Sequence, residues 1–128
     1  MKLKGKTPFS WKKRGISFRY AWKGIQYAFK SQHNMWLHSA ATIIAIVLAV
    51  LLNITAIEWL IILFCITLVM ALEIINTAIE VLADHLHPEQ HPKIGLVKDL
   101  AAGAVLIAAL MAFIIGCWIF GVRIINFF

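Results

Sequence analysis

Apolar residues along this 128-residue chain fall into one amphipathic stretch and three long runs. Between residues 16 and 32, Phe18, Trp22, Ile25 and Phe29 recur at i, i+4, i+7 and i+11. Arg19, Lys23, Gln26 and Lys30 follow the same spacing one residue later. This is the period of a helix, and an aromatic stripe beside a basic one suits a helix lying in the headgroup plane. The longer runs cover residues 37–52, 59–78 and 100–119. Each approaches or reaches the ~20 residues that a helix needs to cross a bilayer. The pattern predicts an all-α membrane protein of one domain over residues 1–128. Its parts are a basic tail at 1–15, an amphipathic surface helix at 16–32, and transmembrane helices at 35–54, 56–87 and 93–122.

Local signals sharpen the boundaries. Thr55-Ala-Ile-Glu58 matches a capping box, in which two side chains satisfy orphan backbone donors at a helix start. Pro88 and Pro92 bound the stretch where the second long helix stops and the third begins. That second helix is longer than a bilayer span, so its last turns should project beyond the membrane. In the third, Ala101, Ala102, Gly103, Ala104, Ala108 and Ala109 permit close helix contact.

Composition agrees with a membrane protein: 62% of residues are hydrophobic and 14% charged, which disfavours a soluble globular fold. The basic start leads into an amphipathic segment, so no cleaved leader is expected. Cys65 and Cys117 lie inside apolar runs and are read as small hydrophobes rather than as a disulfide or metal ligands. Nine of the twelve basic residues precede the first run, Lys93 and Lys98 lie between the second and third, and the 53–58 turn has none. By the positive-inside rule the N-terminus and the 85–98 loop are cytoplasmic and the C-terminus, with Arg123, is outside. Attraction to anionic headgroups accounts for the net charge of +6 more simply than nucleic acid does.

The candidate chemistry sits at the end of the second run. At about 100° per residue, Glu73, Asn76, Glu80 and Asp84 share an arc of roughly 80°. A carboxylate at such a depth usually faces a bundle interior or a wet cavity and marks a functional site. Counting each span from its cytoplasmic end brings Glu73, Asn76 and Glu80 near Lys98 and Asp99 in depth. Carboxylates can hold Mg²⁺ together with substrate phosphates, another can take a hydroxyl proton, and a cation can neutralise phosphate charge. No Walker-type loop or protein-kinase signature is present. The bland alternative is a set of solvated helix ends. Asp84 and Glu89 are read as solvated and Glu58 as a cap.

The run Glu73-Ile-Ile-Asn-Thr-Ala-Ile-Glu80-x3-Asp84, followed by Lys98-Asp99-Leu-Ala-Ala-Gly-Ala-Val, resembles the signature of the small prokaryotic diacylglycerol kinase and undecaprenol kinase family. Phe18-Arg-Tyr-Ala-Trp-Lys-Gly-Ile and Asn34-x3-His38 are also similar to it. The resemblance implies transfer of the γ-phosphate of Mg-ATP to a membrane lipid alcohol. Glu73 would then be the base that deprotonates the lipid hydroxyl, and Asn76 would help fix that site. Glu80 would be a Mg²⁺ ligand and Lys98 a phosphate contact, with Asp99 beside it in the nucleotide region. Tyr20, Trp22 and Lys23 would take the nucleotide- and interface-facing positions of the surface helix. The family assembles as a homotrimer with active sites between subunits, and a symmetric oligomer is one way to shield an acidic helix face.

One position departs from the family: Gln32 stands where a second metal-binding glutamate is usual. An amide oxygen can ligate Mg²⁺ but lacks the charge of a carboxylate, so weaker metal affinity is expected. His85, His87 and His91 are interrupted by prolines and are read as loop residues, and His33 and His38 as interfacial polar groups. Two rival classes remain, a small multipass transporter and a non-catalytic membrane scaffold. A transporter should carry its acid near the midplane, whereas a scaffold should not need the acidic row. Diacylglycerol and undecaprenol are not distinguished, though the His-Pro-x-x-His-Pro loop looks closer to the undecaprenol branch.

Overall fold

A single extended residue separates the first two helices. Gln32, at φ −114° and ψ 120°, ends α1 (Trp11–Ser31) and precedes α2 (His33–Leu51). Its own N–H still donates to the Ala28 carbonyl at 3.1 Å, so the chain turns a corner without abandoning the last turn of α1. The computed structural model describes residue 5 and residues 7–128. Lys2, Lys4 and Lys6 of the expected tail therefore lie outside the described residues.

The expected tail is shorter than 1–15, because α1 begins at Trp11 rather than at residue 16. Extended Ser10 accepts the Arg14 N–H on its carbonyl at 3.2 Å, which starts the helix one turn early. Gly15 inside it costs only about 1 kcal/mol relative to alanine. α2 also ends earlier than the hydropathy pattern implies, at Leu51 rather than 54. Asn53 adopts φ 50°, a left-handed conformation that asparagine tolerates better than most residues. The Asn53 N–H then donates to the Val50 carbonyl and the Ile54 N–H to that of Ala49. This pair of bonds is a Schellman termination, and Ile54 and Ala49 share one core cluster.

Two longer helices follow, α3 (Ala56–Leu86) and α4 (Pro92–Phe127). The expected capping box opens α3: Glu58 N–H donates to Thr55 Oγ1 at 3.3 Å, and Thr55 N–H to Glu58 Oε2 at 2.7 Å. α4 starts with Pro92 in its first turn, and His91 Nδ1 accepts the Lys93 N–H at 3.2 Å. It runs five residues past the expected end at 122, since neither proline nor glycine lies beyond Gly121.

α3 and α4 are the main packed pair, and ion pairs at both ends fix them antiparallel. Arg123 Nη2 meets Glu58 Oε2 at 2.6 Å at one end, and Lys98 Nζ meets Asp84 Oδ1 at 2.8 Å at the other. The core at the Arg123 end is apolar: Ala49, Ile54, Ile62, Ile119 and Phe120. The buried polar groups Glu73, Asn76 and Thr77 lie toward the other. α2, α3 and α4 are each long and apolar enough to cross a membrane. Phe64, Leu110 and Phe113 are among many large apolar side chains left exposed, as apolar solvent or a neighbouring chain requires.

Candidate active site

The face of α3 that carries Glu73, Asn76 and Thr77 turns into the bundle, and all three residues are buried. Thr77 hydroxyl donates to the Glu73 carbonyl at 2.8 Å, the local back-bonding that satisfies a hydroxyl within a helix. The Glu73 carboxylate fares differently. Its side chain is 1% exposed, and although the Asn34 side chain stands close by, neither oxygen is within hydrogen-bonding distance of a partner, and Asn76 Oδ1 is equally bare. Three buried acceptors without donors are costly, and in native proteins such groups usually await a ligand or serve chemistry.

One turn along, Glu80 is held by two amides. Gln32 Nε2 donates to Glu80 Oε2 at 3.0 Å, and Asn76 Nδ2 donates to Oε1 at 3.3 Å. The elbow between α1 and α2 is thereby tied to α3 across 48 residues of sequence. Among the described residues no three His, Cys, Asp or Glu side chains gather closely enough to hold a metal by themselves. Glu80, with the amide oxygen of Gln32 if that side chain turned over from its present bond, could offer oxygen donors only. That suits a hard cation which draws most of its ligands from water and phosphate.

The remaining expected site residues stand apart from this group. Lys98 pairs with Asp84 at 2.8 Å, so Asp84, read from the sequence as merely solvated, is the partner of the one lysine in the motif. Asp99, Tyr20 and Lys23 are exposed, with no side-chain hydrogen bond among the described residues. The structure thus brings together Gln32, Glu73, Asn76 and Glu80 along α3, and leaves Lys98 one helix turn further out.

His38 belongs with them, although the sequence reading treats it as an interfacial group. Its Nε2 lies 3.9 Å from Glu73 Oε2. The signal was present in its place four residues after Asn34 at the start of an apolar run, but nothing local tells which way that helix face turns. His38 also lines one end of a cavity of about 620 Å³ among α2, α3 and α4, otherwise walled by residues such as Leu48, Ile62, Val69 and Phe120. The arrangement is a sealed carboxylate beside a histidine that lines an apolar groove, with a carboxylate–amide cluster one to two turns along α3.

The chain is similar to known proteins over most of its length. A family model described as prokaryotic diacylglycerol kinase matches residues 19–120. A diacylglycerol kinase of Synechocystis sp. is 42% identical over 102 residues, covering 79% of this chain and 58% of that protein. An undecaprenol kinase of Bacillus subtilis is 38% identical over 104 residues, 81% of this chain and 85% of its own length. A diacylglycerol kinase of Escherichia coli is 36% identical over 98 residues, 77% and 80%. The chain therefore spans little more than half of the cyanobacterial relative and most of the other two.

Proposed function

The chain belongs to the prokaryotic diacylglycerol kinase family, and on that footing we propose that it phosphorylates the hydroxyl of a membrane lipid alcohol with ATP. Its relatives are named for diacylglycerol and for undecaprenol, and the substrate is an alcohol of one of these two kinds. The observation that carries the reading is Glu73: a buried carboxylate, both oxygens unpartnered, 3.9 Å from His38, which lines an apolar groove. A lipid hydroxyl reaching it from the groove supplies the missing donor. The carboxylate then accepts the hydroxyl proton as the oxygen attacks the γ-phosphate, a general-base role worth about 10²–10⁴-fold in rate.

The other residues divide the remaining work. Asn76 offers its free Oδ1 to the same space while its amide steadies Glu80. Glu80, with the Gln32 oxygen beside it, would hold the magnesium that accompanies the nucleotide, and that ion supplies charge neutralisation at the phosphates. Lys98 would exchange Asp84 for phosphate oxygens, and Asp99, Tyr20 and Lys23 would border the nucleotide from the exposed surface. α1 would lie in the headgroup plane, with the N-terminus and the 87–91 turn on the cytoplasmic side and the C-terminus outside, in the inner membrane. The exposed apolar faces and the open groove support a homotrimer with shared sites, since a second chain would cover them.

Glu73, Glu80 and Asp84 gather toward one end of α3, with Glu58 serving as the cap at the other, which favours this reading over a transporter, and unpartnered buried acceptors favour it over a scaffold. The experiment is direct: purified protein in lipid vesicles receives labelled ATP with diacylglycerol or undecaprenol separately. One lipid should acquire the label, and Glu73→Gln should abolish nearly all of it while leaving folding and assembly intact. Failure of both lipids, or substantial activity in Glu73→Gln, would remove the proposal or its base.

A further inference from the structure

We infer that His38 is the positioning and proton-relay partner of Glu73, the group through which the base is reset after each turnover; this rests on the lipid-kinase reading above. The problem it solves is visible in the burial. Glu73 is closed off from solvent, so a proton taken from an alcohol has no water to leave by. His38 is the nearest titratable side chain recorded beside it, at 3.9 Å, and its own side chain is 22% exposed. The imidazole thus lies between the sealed carboxylate and the groove that it lines. Its two nitrogens can accept a proton on one side and release one on the other. A separation just beyond hydrogen-bonding range is common in catalytic pairs before substrate arrives and shortens in the loaded state.

The surroundings leave few competitors for this role. From α3 the charged groups near the pair are Glu73 itself and Glu80, and the latter is already held by Gln32 and Asn76. α4 presents Ala109, Ala112 and Phe113 to the cavity, with the thiol of Cys117 further along, and α3 adds that of Cys65. Lys98 is engaged with Asp84.

The step balances without any further reagent. The lipid O–H bond breaks as its proton passes to Glu73, and the oxygen forms a bond to the γ-phosphorus. The bond from that phosphorus to the bridging oxygen breaks, and its electron pair leaves on ADP. The proton then moves from the Glu73 carboxyl to His38 Nε2, and the imidazolium releases its Nδ1 proton to water. Carboxylate and neutral imidazole are both restored, the ring now as its Nε2–H tautomer, and a flip of the ring returns a bare nitrogen to Glu73 for the next turnover.

His38→Ala and His38→Gln, assayed in vesicles with labelled ATP, test the role. His38→Ala should lower kcat on the order of 10–100-fold with KM for ATP unchanged. Added imidazole should restore the rate in proportion to its concentration, because the truncation opens space beside an existing cavity. His38→Gln, which keeps bulk but cannot carry a proton, should stay impaired and unrescued. Full activity in either variant, or a loss in His38→Ala that imidazole does not relieve, would overturn the relay. A second readout is independent of lipid turnover: the ¹⁵N signals of the His38 ring in the parent protein should shift on Glu73→Gln. If they do not move, the two side chains are uncoupled and the inference fails, even where the kinase reading survives. If they do move but no lipid is phosphorylated, the kinase reading fails, and the relay falls with it.

Discussion

Gln32 donates its side-chain amide to the Glu80 carboxylate at 3.0 Å, joining the elbow between α1 and α2 to the acidic face of α3. An amide there neutralises nothing, but it satisfies Glu80 without a metal. A glutamate in its place would face Glu80 as a like charge, which is unfavourable until a cation arrives. Gln32→Glu is therefore expected to lower the thermal midpoint in EDTA and to recover it on adding Mg²⁺. The Mg²⁺ concentration for half-maximal activity should fall by about tenfold, the effect of a second charged ligand on a hard-cation site. Thermal unfolding and activity titrated with Mg²⁺ check both halves. An unchanged metal dependence would show that Gln32 is no metal contact.

Lys98 and Asp84 should separate structure from function. The pair is largely exposed, and exposed pairs add little to stability. Asp84→Asn is expected to leave the unfolding midpoint within about 2 °C of the parent, whereas Lys98→Met should raise KM for ATP by about tenfold or more through loss of a phosphate contact. Circular dichroism melts and ATP titrations distinguish the two.

Glu58 should matter for stability and not for turnover. It accepts from the Thr55 N–H and from Arg123, and its own N–H donates to Thr55 Oγ1. The Thr55 N–H and the Arg123 guanidinium hold its carboxyl below the usual carboxylate range. Glu58→Gln weakens the cap and the link to α4 together, so its melting midpoint should drop by about 5 °C with kcat unchanged. Arg123→Gln leaves the capping box whole and should cost less. Because the folded carboxyl titrates below its unfolded value, its contribution is complete above the unfolded pKa and is lost as pH falls through the folded one. The difference between parent and Glu58→Gln midpoints should accordingly shrink on acidification.

Asn53 carries the left-handed turn between α2 and α3. Asn53→Gly should be tolerated, and Asn53→Val should destabilise by about 1–2 kcal/mol, the cost of forcing a side chain branched at Cβ into that conformation. Denaturation in detergent measures the difference, and equal stability of the two variants would show that the turn relaxes.

Much of this molecule is legible one residue at a time. The four helices follow from apolar periodicity, the α3 start from Thr55 and Glu58, and the α3–α4 break from Pro88 and Pro92. Each of these signals acts within a few residues of its effect. The shared face of Glu73, Asn76 and Glu80 follows from helical spacing alone. The helix ends at Leu51 and Trp11 differ from those that hydropathy implies, because hydropathy does not register a left-handed asparagine or an extended serine.

Which side chains meet across helices follows from packing, not from any one segment. Gln32 reaches Glu80, His38 approaches Glu73, and Lys98 takes Asp84 in preference to the buried acids. Those pairings depend on how far each helix is rotated about its axis and how deeply it slides against its neighbour. Rotation and depth are set by packing of Ala49, Ile62, Ile119 and Phe120 at the far end and by the corner at Gln32. A periodic pattern on one helix carries no record of either. The acidic face was therefore written in the residues of α3, and the approach of His38 to Glu73 came from the fit of α2 against it.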